Sequence, residues 1–370
     1  MRIGLNATCF NDRPSGANQR FRGIYGALIA RCPDFEFVVY EPADCEVGRW
    51  FGDAPNVIRR PTPLLSTSRI RRTWAGTTFW RSAFKRDKLD LFEMFNLPLV
   101  RAPGCPTILT VHDARPVLRD VPFLKRLVFG QVLRRDLRRA DRVITVSETM
   151  AREILQIEPE AQVEVVYNGI DRTPFDRSAT AAAEATRKKM GLPTDFLLAV
   201  GHLEARKNYP RLIEAVAQLN RTSSKTNLVI VGNDGGEGAA IKEQIRSNAL
   251  EAQILLLSGV SDAELADLYS IASLVVFPST YEGFGIPVLE AMAAGRPLVL
   301  SDTAVFRELT EGQGAYFPAE DSHALAGAIQ AVLHDQEAQR ALVAYGDRRV
   351  ADFTFPALAA RVESVYRAVV

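Results

Sequence analysis

The sequence predicts an α/β protein made of two doubly wound parallel sheets in series. Three observations carry this. The chain opens strand–helix–strand, with Arg2–Asn6, a helix from about Arg20 to Arg31, and Phe35–Tyr40. Short apolar runs then recur, each ending in a glycine or a polar pair. After a polar, Ala-rich stretch from Arg172 to Leu192, the same architecture restarts at Phe196–Gly201. Strands alternating with helices in this way give parallel sheets, and 370 residues suit about two domains.

Taken in order, strand Arg2–Asn6 leads into Asn11–Gln19, a turn-rich loop that holds Ser15-Gly16. That loop falls at the carboxyl end of a strand, where open sheets bind ligands. No GxGxxG lies between Asn6 and Gly16, so a dinucleotide fingerprint is not supported. In the helix after it, Phe21, Ile24, Leu28 and Ile29 make one apolar face. Strand Pro106–Asp113 ends in His112-Asp113. Strand Asp141–Ser147 ends in Ser147, which caps a helix starting near Glu148. On residue logic alone, Ser15-Gly16 fits a surface turn, and His112 a structural histidine, as well as a ligand site.

Residues 59–88 are basic with interleaved aromatics, among them Arg59, Arg60, Arg69, Arg71, Arg72, Arg86, Trp74, Trp80 and Phe84. A second basic set, Lys125 to Arg142, follows on a helix. Residues 1–175 carry 27 Lys/Arg against 20 Asp/Glu, the remainder 18 against 24. Such a surface suits an anionic bilayer or a solvated helix face. Nucleic acid is disfavoured, because no reader module accompanies the charge. Cys9, Cys32, Cys45 and Cys105 show neither disulfide nor metal spacing and suit reduced thiols in a cytosolic protein. No window is apolar enough to span a membrane.

In the second half, strand Phe196–Gly201 is followed by the loop His202–Asn208, and strand Thr226–Gly232 by the glycine loop Asn233–Gly238, which is no P-loop. Gly259–Asp262 caps the next helix. Strand Ala272–Phe277 then enters Pro278–Gly295, the most informative stretch. Gly283 and Gly285 permit close backbone approach. Pro287 suits the first turn of a helix and Gly295 its end. The helix start favours phosphate. Glu282 in the loop and Glu290 in the helix do not share a face, so they serve different parts of a ligand. With Arg206 and Lys207 nearby in the architecture, a nucleotide fits: cations and amides on a diphosphate, a carboxylate on the ribose hydroxyls. No DxD pair or metal-spaced cluster is seen, so no metal is expected, and side-chain cations neutralise the leaving group.

These residues resemble a known family. Glu282-Gly-Phe-Gly-Ile-Pro-Val-Leu-Glu290 is similar to the E-x7-E motif of retaining glycosyltransferases of family GT4, which have the GT-B fold. His112-Asp113, Ala140–Glu148, Asn168–Asp171, Val200–Asn208, Gly259–Leu265 and Phe277–Gly285 resemble the family's other blocks, in its order, over nearly the whole chain. The resemblance implies two Rossmann-like domains facing across a cleft: 1–175 with a returning helix at about 354–370, and 190–353. It implies Glu282 at the donor sugar, His112 facing that sugar, and Lys207 with Arg206 on the diphosphate. Glu290 would hold the ribose and Val260 would lie near the base. Gly283, Phe284, Gly285 and Ile286 would offer amides, and the Gly16 loop would close over the phosphates. His202 stands where many members carry Arg. A subgroup similar to bacterial mannosyltransferases also lacks that Arg, which points to GDP-mannose as donor, with no other cofactor. UDP- or dTDP-sugars with glucosyl, galactosyl or rhamnosyl transfer are the alternative, and an inactive nucleotide-sugar-binding protein is the rival of another class. The acceptor would be a saccharide or lipid-linked saccharide in bacterial surface polysaccharide synthesis. The protein would be cytoplasmic, with peripheral contact to an anionic membrane.

Overall fold

Seven short strands pair in parallel into one sheet: β1 (Arg2–Asn6), β2 (Glu36–Glu41), β3 (Val57–Pro61), β4 (Leu91–Met94), β5 (Thr107–Val111), β6 (Arg142–Thr145) and β7 (Val163–Val165). Their order is β3-β2-β1-β4-β5-β6-β7. Six more make a second parallel sheet: β8 (Leu197–Val200), β9 (Leu228–Val231), β10 (Ile254–Leu257), β11 (Leu274–Phe277), β12 (Leu298–Ser301) and β13 (Ala315–Phe317), in the order β10-β9-β8-β11-β12-β13. Both sheets are doubly wound, and the strand order reverses between β1 and β4 and between β8 and β11. Ligand sites of such sheets lie at that reversal, beyond the carboxyl ends. The computed structural model from which this is drawn describes residues 1–13, 15–67, 79–114, 123–175, 181–222 and 225–370.

The chain packs as two units, Met1–Gly169 with Phe353–Val370, and Ile170–Asp352. In the first, the helical run Gly16–Arg20, Phe21–Tyr25 and Gly26–Arg31 lies on one face of the sheet beside the terminal helix Phe355–Val369. Their apolar stripes meet β1, β4 and β5 through Phe21, Ile24, Leu28, Leu358, Val362 and Tyr366. The middle turn of that run is π-helical. Gly23 lies beneath the Phe355 ring, where a Cβ would come within 2.2 Å of it. The opposite face is covered by the helices Phe123–Arg139 and Glu148–Ile157 and by Trp80.

Several expectations change. Ser15-Gly16 is not a loop: Ser15 caps the helix, its Oγ accepting from Asn18 N at 3.1 Å, and Gly16 is the first helical residue. Strands β3 and β4 carry charge within them and β13 is only three residues long, so no long apolar run marks them in the sequence. Arg59 and Arg60 sit in β3, and a buried Glu93 interrupts β4.

The basic, aromatic stretch also reads differently. Trp80 is 3% exposed, stacked on Phe84 and edge-on to Tyr40 and Phe92. Arg59 pairs with Glu41, and Arg60 and Arg86 both pair with the buried Asp87. On the following helix Arg135 meets Asp136 and Arg138 meets Glu158, both acids being buried. Arg69, Arg71, Arg72 and Trp74 lie outside the described residues. Among the described residues, the large apolar side chains most open to solvent include Leu127 and Val128, next to the exposed Arg126. No helix among them is long and apolar enough to cross a membrane.

Candidate active site

At the carboxyl end of β11 the chain runs through Pro278–Gly285 into the helix Ile286–Ala293. Gly285 sits at φ 111°, a conformation other residues enter only with strain. Pro287 occupies the first turn, where no backbone donor is needed. Gly295, at φ 64°, ends the helix. Its N–H reaches Met292 O and the Arg296 N–H reaches Ala291 O, each at 3.0 Å.

Glu282 stands in this loop among three donors. Its Oε2 accepts from Arg206 Nη1 at 2.6 Å, and its Oε1 from Lys207 Nζ and Ser279 Oγ, each at 2.8 Å. The cations come from the end of β8. There the chain turns at Gly201 and makes one 3-10 turn, Ala205–Lys207. Asn208 then takes a left-handed φ of 57°. Its Nδ2 donates to Pro278 O at 3.0 Å and Ala319 O at 2.8 Å, and Thr280 N donates to Arg206 O at 2.8 Å. The two loops are thereby fastened through backbone groups. The Lys207 stem crosses Gly201 so closely that a Cβ there would lie 2.6 Å from Lys207 Cε.

Burial by itself would raise the Glu282 carboxyl, but Lys207 and Arg206 outweigh it and hold the group below the usual carboxylate range. Arg206 resists the opposite pull of burial because Glu282 and Glu204 face it, Glu204 accepting from Nε at 2.7 Å. The anion site inferred from sequence therefore has its two cations already opposed by two carboxylates. Arg206 and Lys207 thereby orient Glu282.

Glu290 lies apart from this cluster. Burial pushes its carboxyl up to about 7, opposed by the phenol of Tyr269 at 3.0 Å. Phe284 and Ile286 are buried, and Gly283 is half-buried beside them. His202 is exposed beyond β8, and Val260 is half-buried in the turn after β10 that Gly259 makes at φ 66°. Among the described residues no three His, Cys, Asp or Glu side chains gather as metal ligands.

In the first unit, Gly16 is exposed and His112 follows β5. The His112 Nε2 is buried and makes no hydrogen bond. Burial, aided by the charge of Arg20, pushes the imidazole down to about 3, so it is neutral at working pH. Arg20, 1% exposed, donates through Nη1 to Val166 O at 2.8 Å, Tyr167 O at 2.6 Å and Asn168 Oδ1 at 3.1 Å.

Sequence reasoning missed Ser279, Asn208, Tyr269 and Arg20. An Asn before a helix start is a local signal for a left-handed residue. Nothing local reveals Tyr269, whose partner lies 21 residues away on another helix.

The chain is similar to several known proteins. Residues 14–173 match the family described as Glycosyltransferase Family 4, and residues 183–349 that described as Glycosyl transferases group 1. The chain is 29% identical to the O-antigen chain mannosyltransferase RfbU of Salmonella typhimurium, over 75% of this chain and 74% of that protein. It is 29% identical to the D-inositol 3-phosphate glycosyltransferase of Kineococcus radiotolerans, over 74% and 67%. The crystal structure of Anabaena HepE in complex with UDP and glucose superposes with a TM-score of 0.76, covering 99% of each chain at 19% identity.

Proposed function

Because the chain belongs to the glycosyltransferases of family 4, we propose that it moves a hexose, mannose from GDP-mannose, onto a saccharide or lipid-linked saccharide. The observation that carries this is the Glu282 cluster: one carboxylate held by Arg206, Lys207 and Ser279 at the start of a helix. Diphosphate oxygens meet Lys207, Arg206 and the helix's first amides. Glu282 takes hydroxyls of the transferred sugar, and Glu290 takes the ribose. His112 serves as a neutral contact to that sugar, because a buried cation there would oppose the positive charge growing on the anomeric carbon. The bond from that carbon to the phosphate oxygen breaks, and the bond to the acceptor oxygen forms on the same face, with retention. The acceptor's proton passes to the departing phosphate. Arginine, lysine and amide dipoles neutralise the charge that develops, and the reaction runs without a metal.

Mannose is supported by the relative named as a mannosyltransferase. A UDP-sugar is the second reading, supported by the nucleotide in HepE. Peripheral contact with an anionic membrane falls to Arg126, Leu127 and Val128. Flotation with anionic liposomes tests that contact: Leu127→Asp with Val128→Asp abolishes co-flotation, and no wild-type binding overturns it. The donor is tested by thermal shift against GDP, UDP, dTDP and ADP and their sugars, followed by donor hydrolysis and transfer assays. Stabilisation by GDP and GDP-mannose, with turnover lost in Glu282→Ala and Lys207→Ala, is the expected result. Stabilisation by UDP alone overturns the mannose reading. Equal inactivity of wild type and both variants with every donor overturns the enzyme reading.

A further inference from the structure

The helix Asp262–Ile271 leans one residue of its inner face, Tyr269, against the helix that bears Glu290. Its side chain is wholly buried. The ring packs edge-on to Phe175 at 5.8 Å between centroids. The phenol Oη reaches Glu290 Oε2 at 3.0 Å and Pro287 O at 3.3 Å. It therefore touches both the first turn of the helix Ile286–Ala293 and the carboxylate one turn on. A buried phenol placed against a half-buried carboxyl is costly unless the pair serves each other: the hydroxyl has one proton to donate, and the carboxylate needs a donor when charged. The helix that carries Tyr269 is itself held at its start by a capping box, with Ser261 and Glu264 each bonding the other's backbone N–H. Tyr269 is thus held by its helix and by Phe175, and its one hydroxyl proton is shared between Glu290, the shorter contact, and Pro287 O.

We propose that Tyr269 is a positioning residue for nucleotide binding: its phenol aims Glu290 and favours the charged carboxylate that grips a vicinal diol. This rests on the donor role given above to Glu290. The groups that bear on Glu290 are few. Tyr269 and Lys207 favour its charged form, whereas burial and Asp262 oppose it. Tyr209 is the further titratable neighbour of Tyr269. With the balance at about 7, ionisation of Glu290 is incomplete at neutral pH. Affinity for a nucleoside diphosphate that needs the charged form therefore rises with pH through that region and then levels. Removing the Tyr269 hydroxyl moves the rise to higher pH.

The test uses the full chain and two readouts. Carboxyl carbon NMR of Glu-labelled protein, with the Glu290 signal assigned by its loss in Glu290→Gln, follows the group without any nucleotide. Its midpoint lies near 7 in the wild type and moves up in Tyr269→Phe. Calorimetry with GDP and with UDP from pH 5.5 to 9 then shows weaker binding by Tyr269→Phe at neutral pH. The two proteins converge to within about twofold at the alkaline end, and Glu290→Gln shows no such slope. A purely structural loss would weaken binding by the same factor at every pH. An unchanged NMR midpoint in Tyr269→Phe overturns the proposal, as does parallel, pH-independent weakening. A shifted midpoint in a protein that binds neither nucleotide upholds the Tyr269–Glu290 coupling and overturns the donor role instead.

Discussion

At the residue scale, Lys207 and Glu282 form the central ion pair of the candidate site. Each is nearly buried, and each is the other's counter-charge at 2.8 Å. Truncation of Lys207 leaves Glu282 with Arg206 and Ser279 only. Lys207→Ala should lower turnover at least about 100-fold and stability by about 2 kcal/mol, read by donor turnover and urea unfolding.

His112 gives a second expectation at this scale. Its folded-state value near 3 lies below the ordinary histidine value. Between those two values the unfolded chain binds a proton that the folded chain refuses. Stability is full above about 6.5 and is lost as pH falls towards 3. His112→Asn should flatten the slope of melting temperature between pH 7 and pH 5. A slope equal to that of the wild type would remove the buried, neutral imidazole from the account.

Elements enter through the loops at the strand ends. The β8 and β11 loops hold each other by Asn208, whose side chain spans Pro278 O and Ala319 O while its backbone is left-handed. Asn208→Ala loses both hydrogen bonds and strains φ, at a cost of about 3 kcal/mol. Asn208→Gly keeps the backbone conformation and should lose less in denaturant unfolding. Gly232 is a harder constraint, since a Cβ there would come within 2.0 Å of Gly201 O. That contact is backbone on both sides, so Gly232→Ala cannot be absorbed by a rotamer change and should yield little folded protein on expression.

Over the whole molecule, the last helix belongs to the first unit. Phe355–Val369 buries Leu358, Ala359, Val362, Val365 and Tyr366 against a core that runs from Ile3 to Val47 and takes in Leu91, Phe95, Ile108, Ile144 and Val166, and the Tyr366 hydroxyl meets Glu93. Loss of these side chains removes about 8 kcal/mol of apolar burial, as much as a typical domain's net stability. A chain ending at residue 353 should therefore lose the first unit's cooperative melting transition. The isolated segment 170–352, with its own core of Leu212, Ile213, Val216, Ile230 and Val276, should fold alone by circular dichroism.

Local chemistry in the sequence was enough for the βα alternation, the glycine and proline punctuation of Pro278–Gly295, and the pairing of a loop glutamate with a helix glutamate. Backbone dihedral limits and helix-terminus rules act within a few residues, so they can be read along the chain. The rest depended on contacts between distant segments. Whether a run of arginines is a surface or a set of ion pairs is decided by Glu41, Asp87 and Glu158, acids up to tens of residues away that only folding brings near. The same holds for Trp80 in the core, for Glu93 hidden in β4, and for Tyr269 over Glu290. Burial and dielectric set what a charged or aromatic side chain does, and both are properties of packing rather than of sequence order.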